Sequence, residues 1–170
     1  MYVFYSVVSK IPSRNAYKPI SLIDMTEDVK RLREETGAGV MDAKRALDDA
    51  AGDYDKALAL IKERYVAKAD KKAERATGAG MIFSYIHGDR VGVLLELRCE
   101  TDFVAKTDDF RGLGKDIAMQ IAAMEPETVE ELLAEPFIKD SGTTIENLVK
   151  SLIAKVGENI QVERFCRYAI

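Results

Sequence analysis

Apolar residues recur every three or four positions in some stretches of this chain and every second position in others. The first period marks helices with one inward face, the second marks half-buried strands. Val29 and Leu32 share a face of a first helix, which Thr26 is placed to cap and Gly37 to stop. Gly37-Ala38-Gly39 is the turn into a second helix from about Val40 to Ala50, with Ala43, Ala46, Leu47 and Ala50 inward. Gly52-Asp53 ends it and caps a third, where Tyr54, Ala57, Leu58, Ile61 and Tyr65 repeat. Short helices joined by small residues predict a compact three-helix bundle over 25–64. Lys62 to Arg75 then carries six Lys/Arg against three acids, its apolar content mostly Ala. That composition predicts a helix end and a solvated basic linker over 65–80, closed by Gly78-Ala79-Gly80.

The period then changes to two. Met81 to Ile86 is a strand, and Gly88-Asp89 within His87–Arg90 supplies a hairpin turn. In Val91 to Cys99 the odd positions are apolar and the even ones include Glu96 and Arg98, so one face is buried. Thr101-Asp102-Phe103-Val104 breaks that strand. A helix follows from about Asp108 to Met124 with Phe110, Leu113, Ile117, Ile121 and Met124 on one stripe, then a short acidic helix over Thr128 to Ala134. Thr143 and Glu146 have capping-box spacing before the last helix, where Ile145, Leu148, Val149, Leu152, Ile153 and Val156 face inward and Gly157 is the stop. Gln161 to Ile170 closes the chain as a strand, although Arg164 spoils its alternation. The fold class is α+β: a three-helix bundle, then over 81–170 a small antiparallel sheet with helices on one face.

Composition narrows the function. The chain has 170 residues, 25 Lys/Arg and 29 Asp/Glu, for a net charge of −4, which argues against a broad nucleic-acid surface. No apolar run approaches the ~18 residues that span a bilayer, so no membrane partner is expected. Two Cys (Cys99, Cys166) and a single His (His87) are too few for a structural zinc site, and reducing cytoplasm is the expected compartment. Residues 1–24 combine a short apolar start with a polar, Pro-containing stretch. They fit a secretory signal poorly and an organellar presequence little better, and are expected to be a flexible arm or an early start, with Met25 the alternative first residue. Gly112-Leu113-Gly114-Lys115-Asp116 lacks the leading Gly and the Ser/Thr of a phosphate loop. Asp48-Asp49 and Asp108-Asp109 read as helix-end carboxylates. A binding protein, with no metal or cofactor of its own and no enzyme activity, is therefore favoured over an enzyme.

Three segments carry a resemblance. Leu32 to Leu47, reading Leu-Arg-Glu-Glu-Thr-Gly-Ala-Gly-Val-Met-Asp-Ala-Lys-Arg-Ala-Leu, resembles the amino-terminal signature of the elongation factor Ts family. Cys99 to Lys106 contains that family's Thr-Asp-Phe-Val motif, and Lys155-Val156-Gly157-Glu158-Asn159-Ile160 is a third match in the same order. The resemblance implies an amino-terminal module like ubiquitin-associated domains and a core of antiparallel strands and helices. It further implies a guanine-nucleotide exchange factor for elongation factor Tu, able to bind both its GDP-bound and nucleotide-free forms. Thr101, Asp102, Phe103 and Val104 would form the exchange motif, with Phe103 wedged between helices of the partner and Asp102 beside it, so that Mg²⁺ and then GDP leave. Arg33, Val40 and Met41 match positions that dock the module on the same domain; Val40 stands where a Met is common.

The chain departs from longer family members, which carry a second core copy and a projecting helical hairpin. By analogy with short members a homodimer is expected, with Gln161 to Ile170 a candidate interface and Cys166 a free, partly buried thiol near it. Two other classes compete. A plain interaction module gives the Thr-Asp-Phe-Val motif no task. A Cys–His enzyme needs Cys99 or Cys166 beside His87, and Cys99 falls on the apolar face of its strand. From pattern alone Phe103 would be a core residue, Asp102 a turn cap, and Val40 and Met41 packing within the bundle.

Overall fold

The computed structural model describes residues 22–170, with side chains from residue 26. Three helices come first: α1 (Leu22–Thr36), α2 (Val40–Asp49) and α3 (Tyr54–Asp70). The hairpin β1 (Ala79–His87) and β2 (Val91–Cys99) follows, then α4 (Asp102–Ala105), α5 (Asp108–Met124) and α6 (Val129–Ala134). The chain ends with β3 (Pro136–Phe137), β4 (Asp140–Thr144), α7 (Ile145–Val156) and β5 (Ile160–Ala169). The architecture is α+β with a small antiparallel sheet, in the order β1-β2-β5.

The bundle forms where the period placed it. Leu32, Ala43, Ala46, Leu47, Ala57 and Ile61 are buried together. Small Ala side chains let the three axes approach closely. Gly37 takes φ +69 and donates its N–H to Arg33 O at 2.9 Å, closing α1 in a conformation that costs other residues strain. Asp53 caps α3 by accepting from the Lys56 N–H at 3.1 Å. Two expectations are corrected. The first helix begins at Leu22, so Thr26 lies inside it rather than at its cap. Nothing in Leu22–Met25 breaks a helix, and the local Thr-Glu-Asp signal does not override that. Of the proposed arm, residues 22–24 therefore belong to α1, and the rest lies outside the described residues.

The larger correction concerns 65–80. The helix α3 continues to Asp70 and packs along α7. Tyr65 belongs to the bundle core, while Ala69, one turn on, belongs to the core of the sheet. The Ala-rich face that looked too weak to pack is what allows this close helix pair, and its lysines and arginines point outward into ion pairs such as Lys68–Asp42 at 2.8 Å. Only the stretch after Asp70 connects without regular structure.

In the sheet, Val93, Leu95, Leu97 and Cys99 point into the core, against Phe110, Ile117 and Ile121 of α5. Gly88 and Asp89 both take positive φ (54° and 58°), and Arg90 N–H donates to His87 O at 3.1 Å, as the hairpin signal required. The irregular alternation of the last strand has a cause. Leu97 pairs with Val162 but Glu96 pairs with Arg164, so Glu163 is an extra residue and the strand changes face there. Ile160 and Val162 point inward before this bulge, and Phe165 after it.

The last helix is capped by Thr144, whose Oγ1 accepts from the Asn147 N–H at 3.2 Å. Thr143 lies in β4 and Glu146 pairs with Lys150 at 2.9 Å, so the expected capping box does not form. Met124 is 47% exposed and leaves the inward stripe of α5. The β3–β4 hairpin, unanticipated from the pattern, is held by the buried Gln120. Its amide donates to Pro136 O and Glu135 Oε2, both at 3.0 Å, and accepts from the Ile138 N–H at 2.9 Å.

Candidate functional site

At its end β2 runs into the core. Cys99 is fully buried and its Sγ donates to Thr101 O at 3.2 Å, which turns the chain out of the ladder. Burial pushes this thiol's pKa up, with the nearby Glu158 carboxylate acting in the same direction, so it is a poor nucleophile. Thr101 is extended and caps the one-turn helix α4, its Oγ1 accepting from the Val104 N–H at 3.4 Å. Val104 and Ala105 are buried beneath the turn, and Thr107 closes it by donating to Val104 O at 2.8 Å.

Burying two consecutive residues of one helical turn leaves the other two facing out. Asp102 and Phe103 are exposed, and Phe103 is 82% accessible. A Phe in this state forgoes the roughly 1.5–3 kcal/mol that burial contributes. The core assignment that pattern alone favoured for Phe103 is thus excluded. Of the four motif residues, two anchor the turn and two project from it.

Behind the turn, the segment after α7 closes on it. Glu158 accepts from both donors of Thr101, with Oε2 3.0 Å from its N and Oε1 2.7 Å from its Oγ1. Glu100 Oε1 accepts from the Asn159 N–H at 2.6 Å. The buried Asn159 side chain donates to Ala73 O at 3.1 Å and Arg75 O at 2.7 Å. Three segments distant in sequence, 73–75, 100–101 and 158–159, are thereby tied into one knot. Pattern reading missed the role of Glu158 and Asn159, although the Lys-Val-Gly-Glu-Asn-Ile match had marked their position.

In the bundle, Arg33 is exposed in the last turn of α1, and Val40 and Met41 open α2 at 51% and 59% accessibility. They are not packed within the bundle. The turn between Arg33 and Val40 sits beside the end of α7: a Cβ at Gly37 would lie 3.2 Å from Lys155 Cδ, and Lys155 pairs at 2.8 Å with Asp109 in the first turn of α5.

A third surface is the sheet face away from the helices. Ile82, Ile86, Leu94 and Tyr168 are exposed there, with Cys166 opposite Leu94 in the register. Cys166 is exposed rather than partly buried. Glu96 lies among them, its carboxyl held below the usual range by the Arg164 and Arg98 guanidiniums, each 2.7 Å away. His87 sits at the hairpin end of β1, paired with Val91, whereas Cys99 is at the far end of β2, so the two make no catalytic pair.

A family model described as Elongation factor TS matches residues 100–170. The chain is similar to the elongation factor Ts of Desulforamulus reducens, 43% identical over 186 positions that take in 82% of this chain and 86% of that protein. It is 42% identical to elongation factor Ts of Prochlorococcus marinus strain AS9601, covering 84% of this chain and 87% of that protein. The elongation factor Ts of Heliobacterium modesticaldum is 41% identical with the same coverage.

Proposed function

From the premise that this chain belongs to the elongation factor Ts family, we propose that it is the guanine-nucleotide exchange factor of translation elongation. It binds elongation factor Tu·GDP, promotes loss of the partner's Mg²⁺ and GDP, and leaves the partner free to take GTP. The observation that carries this reading is Phe103, 82% exposed on a turn whose other side is anchored in the core. An interaction module without exchange activity would dock through the same side chain, so GDP release rather than binding separates the two readings.

The mechanism needs no chemistry of its own. Mg²⁺ bridges and neutralises phosphate oxygens, so displacing the partner groups that hold it weakens the nucleotide. The factor must prefer the nucleotide-free partner, and each tenfold loss of GDP affinity requires about 1.4 kcal/mol of that preference. An aromatic anchor inserted into a partner pocket is able to supply several such steps. Phe103 is the wedge, Asp102 acts beside it, and Thr101 and Val104 hold the turn. Arg33, Val40 and Met41 dock the bundle, which we read as a ubiquitin-associated-like module. An exposed apolar pair at a helix start suits that task.

The chain acts in the cytoplasm as a homodimer. Ile82, Leu94, Cys166 and Tyr168 form an apolar patch on the open sheet face, and a two-fold pairing of these faces would bury it. This enlarges the interface expected from the last strand alone.

The test is release of fluorescent GDP from elongation factor Tu in excess Mg²⁺ and unlabelled GDP. The protein should accelerate release strongly, and Phe103→Ala should remove most of that acceleration while the fold survives. A folded Phe103→Ala protein with undiminished activity would sink the site assignment.

A further inference from the structure

An exposed wedge transmits force only if its base is rigid, and α4 is a single turn of four residues. So short a helix has no stability of its own, because one turn fixes many dihedral angles for few hydrogen bonds. In longer helices the cap residue's own N–H is often satisfied by an acid three residues on, the second half of a capping box. Here that position is Val104, which is apolar and buried. The missing acid arrives from 57 residues away: Glu158 accepts from the Thr101 N–H at 3.0 Å and from its hydroxyl at 2.7 Å. Thr101 Oγ1 therefore stands between two partners, donating to Glu158 and accepting from Val104 N–H.

The placement of Glu158 is itself set. Gly157 takes φ +83 as it ends α7, turning the chain back toward the sheet. Asn159, 1% exposed, then fixes the next residue by its bonds to Ala73 O, Arg75 O and the Glu100 carboxylate. The same residues that close the turn's cap thus grip the chain leading from the bundle into the sheet.

We propose that Glu158 is a positioning residue for nucleotide exchange, acting as a capping-box acid supplied from a distant part of the same chain that holds the Thr101–Val104 turn and so stiffens the seat of Phe103. The inference rests on the reading of that turn as the exchange motif. Its role is to make the wedge effective once docked, not to bring the partner in. Glu158 should therefore affect the maximal rate of GDP release more than the concentration of factor needed for half of it.

The experiment uses the full chain with Glu158→Ala, Glu158→Gln and Phe103→Ala, and two readouts. One is GDP release from elongation factor Tu as a function of factor concentration; the other is hydrogen exchange of the Thr101 amide by NMR. In Glu158→Ala the Thr101 amide should exchange about tenfold faster and the maximal rate should fall about tenfold, equivalent to about 1.4 kcal/mol. The half-saturating concentration should stay within about twofold, the signature of an interaction expressed only in the productive complex. Glu158→Gln keeps one accepting oxygen and the same volume, so it should fall between wild type and Glu158→Ala. Wild-type maximal rates in both Glu158 variants, with Phe103→Ala slow, would overturn the proposal. So would a slow Glu158→Ala in which Thr101 exchange is unchanged and half-saturation has risen. If Phe103→Ala is also as fast as wild type, the reading of the turn fails, and Thr101 exchange then reports separately whether the clamp exists.

Discussion

Two glycines in one helix should respond to the same substitution with opposite signs. Gly112 and Gly114 both lie in α5 without positive φ. A Cβ at Gly112 would meet nothing within 4 Å, whereas at Gly114 it would lie 2.3, 2.4 and 2.5 Å from three ring carbons of Phe83. Normal carbon contacts are about 3.5–4.0 Å, so the helix and β1 must separate by about 1 Å or the ring must move. The ring has little room. Phe83 is 7% exposed and its centroid is 6.1 Å from that of Phe110, which is fully buried. Overpacking of this kind costs about 1–3 kcal/mol, against about 1 kcal/mol gained by replacing Gly with Ala in a helix. Gly112→Ala should therefore stabilise by up to about 1 kcal/mol, and Gly114→Ala should destabilise by up to about 2 kcal/mol. For a chain of this size those changes move Tm by about 2–4 °C per kcal/mol, upward for the first and downward for the second. Urea unfolding followed by circular dichroism measures both. Adding Phe83→Leu to Gly114→Ala should recover part of the loss, because the two sites share one contact. Equal stabilisation by both alanines would refute the claim that close approach of α5 to β1 sets the helix layer.

Two further outcomes follow from other surfaces. Leu94→Asp should weaken self-association by more than about 100-fold, since it removes about 2 kcal/mol of apolar burial and would bury a charge; a dimer of undiminished affinity by sedimentation would exclude the open sheet face as the interface. The Tyr54 hydroxyl is pushed up to about 12, first by burial and then by donating to Glu35 at 2.6 Å. A proton held more tightly in the fold contributes stability that is full below the ordinary tyrosine value near 10 and is lost as pH rises from about 10 to 12. The stability difference between wild type and Tyr54→Phe should therefore shrink over that window in urea titrations, and a constant difference would refute the assignment.

What a residue's near neighbours decide was legible without the structure. A helix from about Asp108 to Met124 is legible because Phe110, Leu113, Ile117 and Ile121 recur at helical spacing, a strictly local signal. The alternation of Val91–Cys99 and the turn at Gly88-Asp89 are of the same kind. The exchange motif was legible only through resemblance. Periodicity placed Phe103 in the core, because it counts apolar residues and not which side of a single turn is already filled by Val104 and Ala105.

The rest depended on residues far apart in sequence. The stretch after Tyr65 looked solvated, since lysines and alanines give no strong face; its helix exists because α7 offers Ala69 a close partner. The broken alternation of β5 became intelligible only against β2, whose register shows Glu163 as the extra residue. Local spacing favoured Thr143 as the last helix's cap, but pairing of β4 with β3 carries the chain one residue further, to Thr144. The clamp on Thr101 spans 57 residues and has no local signature. Helix periods, strand alternation and turns are properties of a few consecutive side chains, so the sequence by itself determined them. Which face is covered, where a strand shifts and which acid closes a distant cap depend on what folding brings alongside, and only the tertiary structure decided those.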